Sequence, residues 1–353
     1  MPTDHADAGD GRDAGSGDDR RVDGEGTVIA DGDGPSILVA GDTLVDLVPS
    51  RPGPVGPDTS FEPKFGGSAA NAAVALERIG LPPLFWTRVA RDDFGAFLAD
   101  ELAATSIPAD LVTRDDGART TLAVVTHDEG GEPTFGFRRE RGADTRLEPG
   151  GVPDPVLERV SWVHTTGVTL SVEPSRTATL ELMARASRLG CSVSLDPNAR
   201  PEMWHSDEEF GAVVRGALEH VDVLKANPGD LAAAGIEADD PAALARAVTD
   251  RGPHTALLTL GGEGALARGT DASPVPGVAR HPGYDVDVVD TTGAGDAFLA
   301  GALGALSAGV TDADRLLAVA NAVGAVVTTR RGGTSALTGL DPVRALCGSV
   351  PWA

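Results

Sequence analysis

The residues best equipped for chemistry stand together near the C-terminal end, in Asp290-Thr-Thr-Gly-Ala-Gly-Asp296. Asp285 to Val289 before them reads as a strand, and Phe298, Leu299, Ala302, Leu303 and Leu306 after them recur at helical spacing. The local reading is strand, glycine turn, helix. A helix N-terminus offers unpaired backbone N–H groups and about half a positive charge, which attract phosphate oxygens. Gly293 and Gly295 let that backbone approach a ligand with no Cβ in the way. Asp296 falls in the first turn, where the dipole favours a carboxylate able to accept a hydroxyl proton. Phosphoryl transfer needs these two things together: a base for the nucleophile and a donor-rich hole for the transferred group. In isolation the stretch is more often an ordinary glycine turn with an acid at a helix start. The P-loop pattern G-x-x-x-x-G-K-[ST] is absent, and neither lysine follows a glycine-rich loop, which disfavours a P-loop kinase.

The elements that must position this stretch begin at Ser36. Ile37 to Ala40 is a short apolar run closed by Gly41, and similar runs recur at Leu84 to Val89, Thr121 to Val125, Val160 to His164, Ser192 to Leu195, Val221 to Leu224 and Thr255 to Leu260. Helical spacing occupies Ala69 to Ile79, Phe94 to Ala104, Arg176 to Leu189, Phe210 to Leu218, Pro241 to Thr249, about Ala294 to Ala308, and Asp312 to Thr328. Alternating strands and helices predict an α/β fold with a mostly parallel sheet covered on both faces. Val48 to Phe65 and Ala118 to Phe137 fit that rhythm less well and predict a small separate sheet acting as a lid. Residues 1 to about 34, rich in Asp, Gly, Ala and Arg, predict a disordered acidic tail, leaving 35–353 as the folded domain.

Composition narrows the setting. The 353 residues carry a formal net charge of −24, and of 29 basic residues only Lys64 and Lys225 are lysines. Exposed charge of one sign is tolerated where salt screens it within a few Å, so the pattern predicts a halophilic protein of a salt-rich cytoplasm. The acidity disfavours a nucleic-acid partner. Cys191 and Cys347 have no metal or redox spacing and read as free thiols in a reduced compartment. With no apolar run near 18 residues and no leader pattern, the expectation is a cytoplasmic protein without a membrane span. His164, His205 and His220 lack metal spacing and read as packing or surface residues.

From Ser36 to the C-terminus the chain resembles the ribokinase-like, or PfkB, family of carbohydrate kinases. Both signatures of that family occur in order, Gly66-Gly67-Ser-Ala-Ala-Asn71 and Asp290-Thr-Thr-Gly-Ala-Gly-Asp296. The resemblance implies a ribokinase-like three-layer fold, with Asp296 as catalytic base and the backbone of Gly293, Ala294 and Gly295 as anion hole. It implies Asp46 of Gly41-Asp-Thr-Leu-Val-Asp46, with Gly67 and Asn71, as sugar ligands. Read without the family, Asp46 is equally a turn residue and Asn71 a helix residue bonded to nearby backbone. On the nucleotide side the resemblance implies Asn227 and Asp230 of an N-x-x-E motif with Asp for Glu, and Thr259, Gly261 and Gly264 lining ATP. The Thr259 to Gly264 segment also reads as a plain hairpin. Magnesium is expected to be held largely through water and ATP oxygens, and Asp290 and Thr292 to hold a monovalent cation such as potassium. Asp196-Pro-Asn-Ala-Arg200, running on to Trp204, is similar to a segment of fructokinases and of 2-keto-3-deoxygluconate kinases, and Phe137-Arg-Arg139, followed by Gly142-Ala-Asp144, to a fructokinase segment, with arginine for the usual tyrosine at 138. This implies Arg200 and Arg139 as further sugar contacts, although Arg139 also reads as a lid ion pair with Glu140 or Asp144. The expected activity is ATP-dependent phosphorylation of a sugar, fructose first, by an enzyme that can dimerise through its lid. Kinases of 2-keto-3-deoxygluconate or another sugar, and a non-catalytic sugar-binding regulator, are the competing readings.

Overall fold

The computed structural model describes residues 36–51, 55–127 and 133–353, so the expected tail at 1–34 lies outside the described residues. In chain order the strands are β1 Ile37–Ala40, β2 Leu44–Pro49, β3 Phe61–Gly66, β4 Leu84–Ala90, β5 Val112–Asp115, β6 Leu122–His127, β7 Pro133–Arg138, β8 Trp162–Thr166, β9 Ser192–Asp196, β10 Val223–Ala226, β11 Thr255–Thr259, β12 Ala265–Gly269 and β13 Gly277–His281. The helices are α1 Ser68–Arg78, α2 Asp93–Ala103, α3 Asp154–Leu157, α4 Ser175–Arg188, α5 Asp207–Ala217, α6 Pro228–Ala233, α7 Pro241–Thr249, α8 Ala294–Ser307, α9 Ala313–Val327 and α10 Asp341–Cys347.

Nine strands form one sheet in the order β13-β12-β11-β10-β9-β8-β1-β4-β5. It is parallel throughout except for β12 and β13, which run as antiparallel hairpins at one edge. Its strands are apolar on both sides: all four residues of β1 are buried, as are all five of β8. Such strands are stable only with helices on both faces. On one face α1, α8 and α9 share a core with alternate residues of β1, β4, β10 and β11. Helix α8 is buried from Asp296 to Leu306, as befits a helix packed on several sides. Burying Phe298 in it contributes about 1.5–3 kcal/mol.

The smaller sheet runs β3-β2-β6-β7. Val45, Leu47, Phe65 and Leu122 pack against Val89, Phe94, Phe97 and Leu98. Alternation along β2 therefore turns Asp46 to the opposite face. As the pattern of Ala118 to Phe137 predicted, this stretch supplies strands β6 and β7 of the small sheet, and the apolar run Thr121 to Val125 within it finds its partners in β2 and β7. One expectation needs correction. Asp285 to Val289 forms no strand: the large sheet already ends at β13, and Val288 and Val289 are exposed. The segment is held by the Val289 and Asp290 amides, which donate to Thr328 O at the end of α9, at 2.7 and 3.1 Å. Among the described residues no helix is long and apolar enough to cross a membrane.

Candidate active site

Strands β9, β10 and β11 are parallel neighbours, and Arg200, the Asn227 and Asp230 pair, and Gly261 with Gly264 follow their respective carboxyl ends. Asp296 stands in the first turn of α8, whose cap residue Gly293 has φ 75° and ψ 0°. Its carboxylate, 8% exposed, accepts hydrogen bonds from Ser68 Oγ at 2.8 Å and Asn71 Nδ2 at 3.0 Å. Both donors lie in the first turn of α1, so the two sequence signatures meet on one carboxylate. Burial pushes Asp296 up to about 6; Lys225 opposes the rise, Asp196 adds to it, and the two donors restrain it. Such a carboxyl is ionised at neutral pH and more basic than a solvated one, which suits it to accept a proton.

Of the three amides expected to form an anion hole, that of Ala294 donates to Thr291 O at 3.2 Å, closing the turn. Among the described residues the amides of Gly293, Gly295 and Asp296 meet no acceptor, so they could donate to an anion. These are the orphan groups of a helix start, and their field favours negative charge.

On the sugar side, Asp46 lies within lid strand β2 rather than in a turn, directly opposite Lys64 of β3. A Cβ on Gly66 would overlap its carboxylate, so Gly66 admits the acid into the site. Burial pushes Asp46 up to about 7; Asp42, Asp296 and Asp290 add to the rise and Arg200 opposes it. Arg200, whose Nη1 donates to Ala199 O at 2.8 Å, is thus the cation facing Asp46. Gly67 caps α1 with φ 107°, a region side chains resist, and a Cβ there would come within 2.6 Å of Asp42 O. Asn71, expected as a sugar ligand, donates its Nδ2 to Asp296 Oδ2 at 3.0 Å. Arg139 takes the ion-pair role: Nε donates to Asp144 Oδ2 at 2.7 Å, Nη2 to Val168 O at 3.0 Å, and Nη1 to Ser171 Oγ. Its guanidinium ties the end of the lid to the core, and the buried Asp144 also accepts from Thr121 Oγ1.

On the nucleotide side, Asn227 and Asp230 form a capping box at the start of α6: Asn227 Oδ1 accepts the Asp230 amide at 2.9 Å and Asp230 Oδ2 accepts the Asn227 amide at 3.1 Å. Asp230 Oδ1 takes the Ala199 amide at 3.0 Å, joining this motif to the Asp196 segment. Thr259 ends β11, and Gly261 and Gly264 make the turn of the β11–β12 hairpin, so the segment is a hairpin. Asp290 Oδ1 accepts the Thr292 amide at 2.9 Å and Oδ2 the Gly332 amide at 3.0 Å, which hold its carboxyl below the usual range despite partial burial. Thr292 is exposed. Among the described residues no group of three or more His, Cys, Asp or Glu could hold a metal ion.

Four polar residues with no role in the sequence reading hold the site together. Asp42 is buried and accepts the Ser68 and Ala69 amides at 2.8 and 3.3 Å and Thr166 Oγ1 at 3.1 Å, fixing the start of α1. Ser68 Oγ receives Asn198 Nδ2 at 2.7 Å while donating to Asp296, and Asn198 has φ 41°. Lys225 Nζ donates to Asp196 Oδ2 at 2.7 Å, with both side chains buried. A signal for Lys225 existed: a lysine inside the apolar run Val223-Leu-Lys-Ala226 must find a charge partner. His164 is buried against Ser194 Oγ at 3.0 Å, as a packing residue should be.

Residues 35–338 match the family described as pfkB family carbohydrate kinase. The chain is 34% identical to a fructokinase of Klebsiella pneumoniae over 87% of this chain and 98% of that protein. A probable fructokinase-4 of Arabidopsis thaliana is 33% identical over 88% and 96%. Among solved structures, the fructokinase of Vibrio cholerae in its fructose-, ADP- and calcium-bound form superposes with a TM-score of 0.76 at 30% identity, covering 88% of this chain and 98% of that one. The ATP-bound fructokinase of Xylella fastidiosa gives 0.78 at 28% identity over 88% and 98%. A buried carboxylate at a helix start with amides beside it is thus carried on the fold of these kinases, and the chain belongs to the pfkB family of carbohydrate kinases, enzymes that phosphorylate sugars at the expense of ATP.

Proposed function

We propose that the enzyme phosphorylates fructose, with Asp296 as the base. The observation that carries this reading is the placement of Asp296, held by Ser68 and Asn71 beside the unpaired amides of Gly293, Gly295 and Asp296. Asp296 takes the proton of the attacking sugar hydroxyl, and the amides receive the charge of the transferred group. Asp46 and Arg200 bind sugar hydroxyls from the lid and from the Asp196 segment, and lid closure excludes the water that would otherwise be phosphorylated. Asn227, Asp230, Thr259, Gly261 and Gly264 line the nucleotide side. Magnesium would arrive on ATP, bound through phosphate oxygens and water, and supply charge neutralisation. Asp290, kept ionised by two amides, and Thr292 would hold a monovalent cation beside the anion hole.

The occupied fork of Arg139 bears on the competing sugar acid. A 2-keto-3-deoxygluconate carboxylate needs a free cation, whereas Arg139 is spent on Asp144 and Arg200 faces Asp46. A neutral sugar fits this charge distribution better. ADP release measured in molar KCl with fructose, glucose, ribose, 2-keto-3-deoxygluconate and sugar phosphates tests the reading. Fructose is expected to give the highest kcat/KM; a higher value for any other member of the panel refutes it.

A further inference from the structure

Two features of Lys225 are unexplained by the roles given so far. The chain uses arginine for nearly all its positive charge, yet keeps a lysine in the interior of β10. That lysine also lies against the catalytic helix: a Cβ built on Gly295 would come within 2.6 Å of its Nζ. Glycine at 295 therefore makes room for an ammonium as well as for a ligand. A guanidinium, planar and larger, does not fit a space closed by Gly295 on one side and the Asp196 carboxylate on the other.

We propose that Lys225 is the positioning residue of the base: its ammonium, anchored by Asp196 and admitted by Gly295, serves as the fixed counter-charge of Asp296. Burial alone would disfavour a charged lysine, but Asp196, Asp296 and Asp230 together hold it protonated. The charged groups facing Asp296 are Lys225 from β10, Asp196 from β9 and Asp46 from the lid, while Ser68 and Asn71 of α1 donate to it. Among these groups of the described residues, Lys225 supplies the positive charge. Asp196 has a double effect: it holds the ammonium in place, and its own negative charge works against the ionisation of Asp296.

This role depends on the reading of Asp296 as base, and the test separates the two. The dependence of kcat on pH between 4.5 and 9 is measured with saturating fructose and ATP for the parent, Lys225→Met and Asp196→Asn. Loss of the counter-charge should move the acid limb of Lys225→Met upward by about 1–3 pH units, the usual effect of a nearby opposite charge. Asp196→Asn keeps the ammonium between Asp296 and Asp230 and removes the opposing carboxylate, so its limb should move downward. A residue that merely supports the fold lowers kcat at every pH and moves neither limb. Lys225→Met leaves Asp196 buried without a partner; if it does not fold, Asp196→Asn carries the test alone. Limbs that stay at the parental pH, or that move in the same direction, overturn the role of Lys225. Parental turnover in Asp296→Asn overturns instead the reading on which it depends.

Discussion

Replacing Asp296 by Asn separates what this residue does for chemistry from what it costs the fold. Its carboxyl is raised from 3.8 to about 6 by burial. A shift of about 2 units corresponds to about 3 kcal/mol by which the ionised form is disfavoured in the folded protein. The sign follows from linkage. A carboxyl whose folded value is raised stabilises the fold fully below its unfolded value, and that contribution disappears as pH climbs through the folded value. The parent should therefore lose about 3 kcal/mol between pH 3 and 7 through this group, and Asp296→Asn should not. Against that gain stands one mismatch: Ser68 and Asn71 both donate to Asp296, and an amide has a single acceptor oxygen, so one donor loses its partner at a cost of about 1–3 kcal/mol. Net stability at pH 7 should change by about 0 to +2 kcal/mol while turnover falls at least 10²–10⁴-fold for loss of the base. Urea unfolding of both proteins at pH 5 and 7, with ADP release under the same salt, measures both quantities. Turnover within tenfold of the parent refutes the role of base. A parent-minus-variant stability difference that is equal at the two pH values refutes the assignment of a raised carboxyl.

Two further outcomes follow from the geometry. Gly67→Ala places a Cβ 2.6 Å from Asp42 O at φ 107° and should destabilise by at least about 1–2 kcal/mol while raising the sugar KM; a neutral effect on both would show that the α1 start adapts freely. Arg139→Met leaves the fully buried Asp144 without its cation and should cost about 3–5 kcal/mol in urea unfolding, because an unpaired buried charge is far worse than no pair at all. A loss of fructose affinity with stability unchanged would instead restore Arg139 to the sugar site.

Much of this protein was legible in its sequence because the signals are local. The apolar runs of β1, β8 and β11 and the 3.6-residue spacing of α1, α8 and α9 follow from burial on two faces or on one stripe, which each segment records by itself. The glycine turn before Asp296 announced a helix start, which the structure has at Ala294, for the same reason. The resemblance to a family added the partner residues, which no local signal could have joined to it. Where local pattern misled, long-range pairing was the cause: Asp285 to Val289 alternates like a strand, but the large sheet already ends at β13. The tertiary structure alone decided the electrostatics. Whether Asp296 is near 4 or near 6, whether Arg139 meets a sugar or Asp144, and why a lysine survives at 225 depend on groups brought together from β9, β10, α1 and the lid. Coulomb and desolvation energies vary with distance and burial in space, and neither quantity is written in the order of the residues.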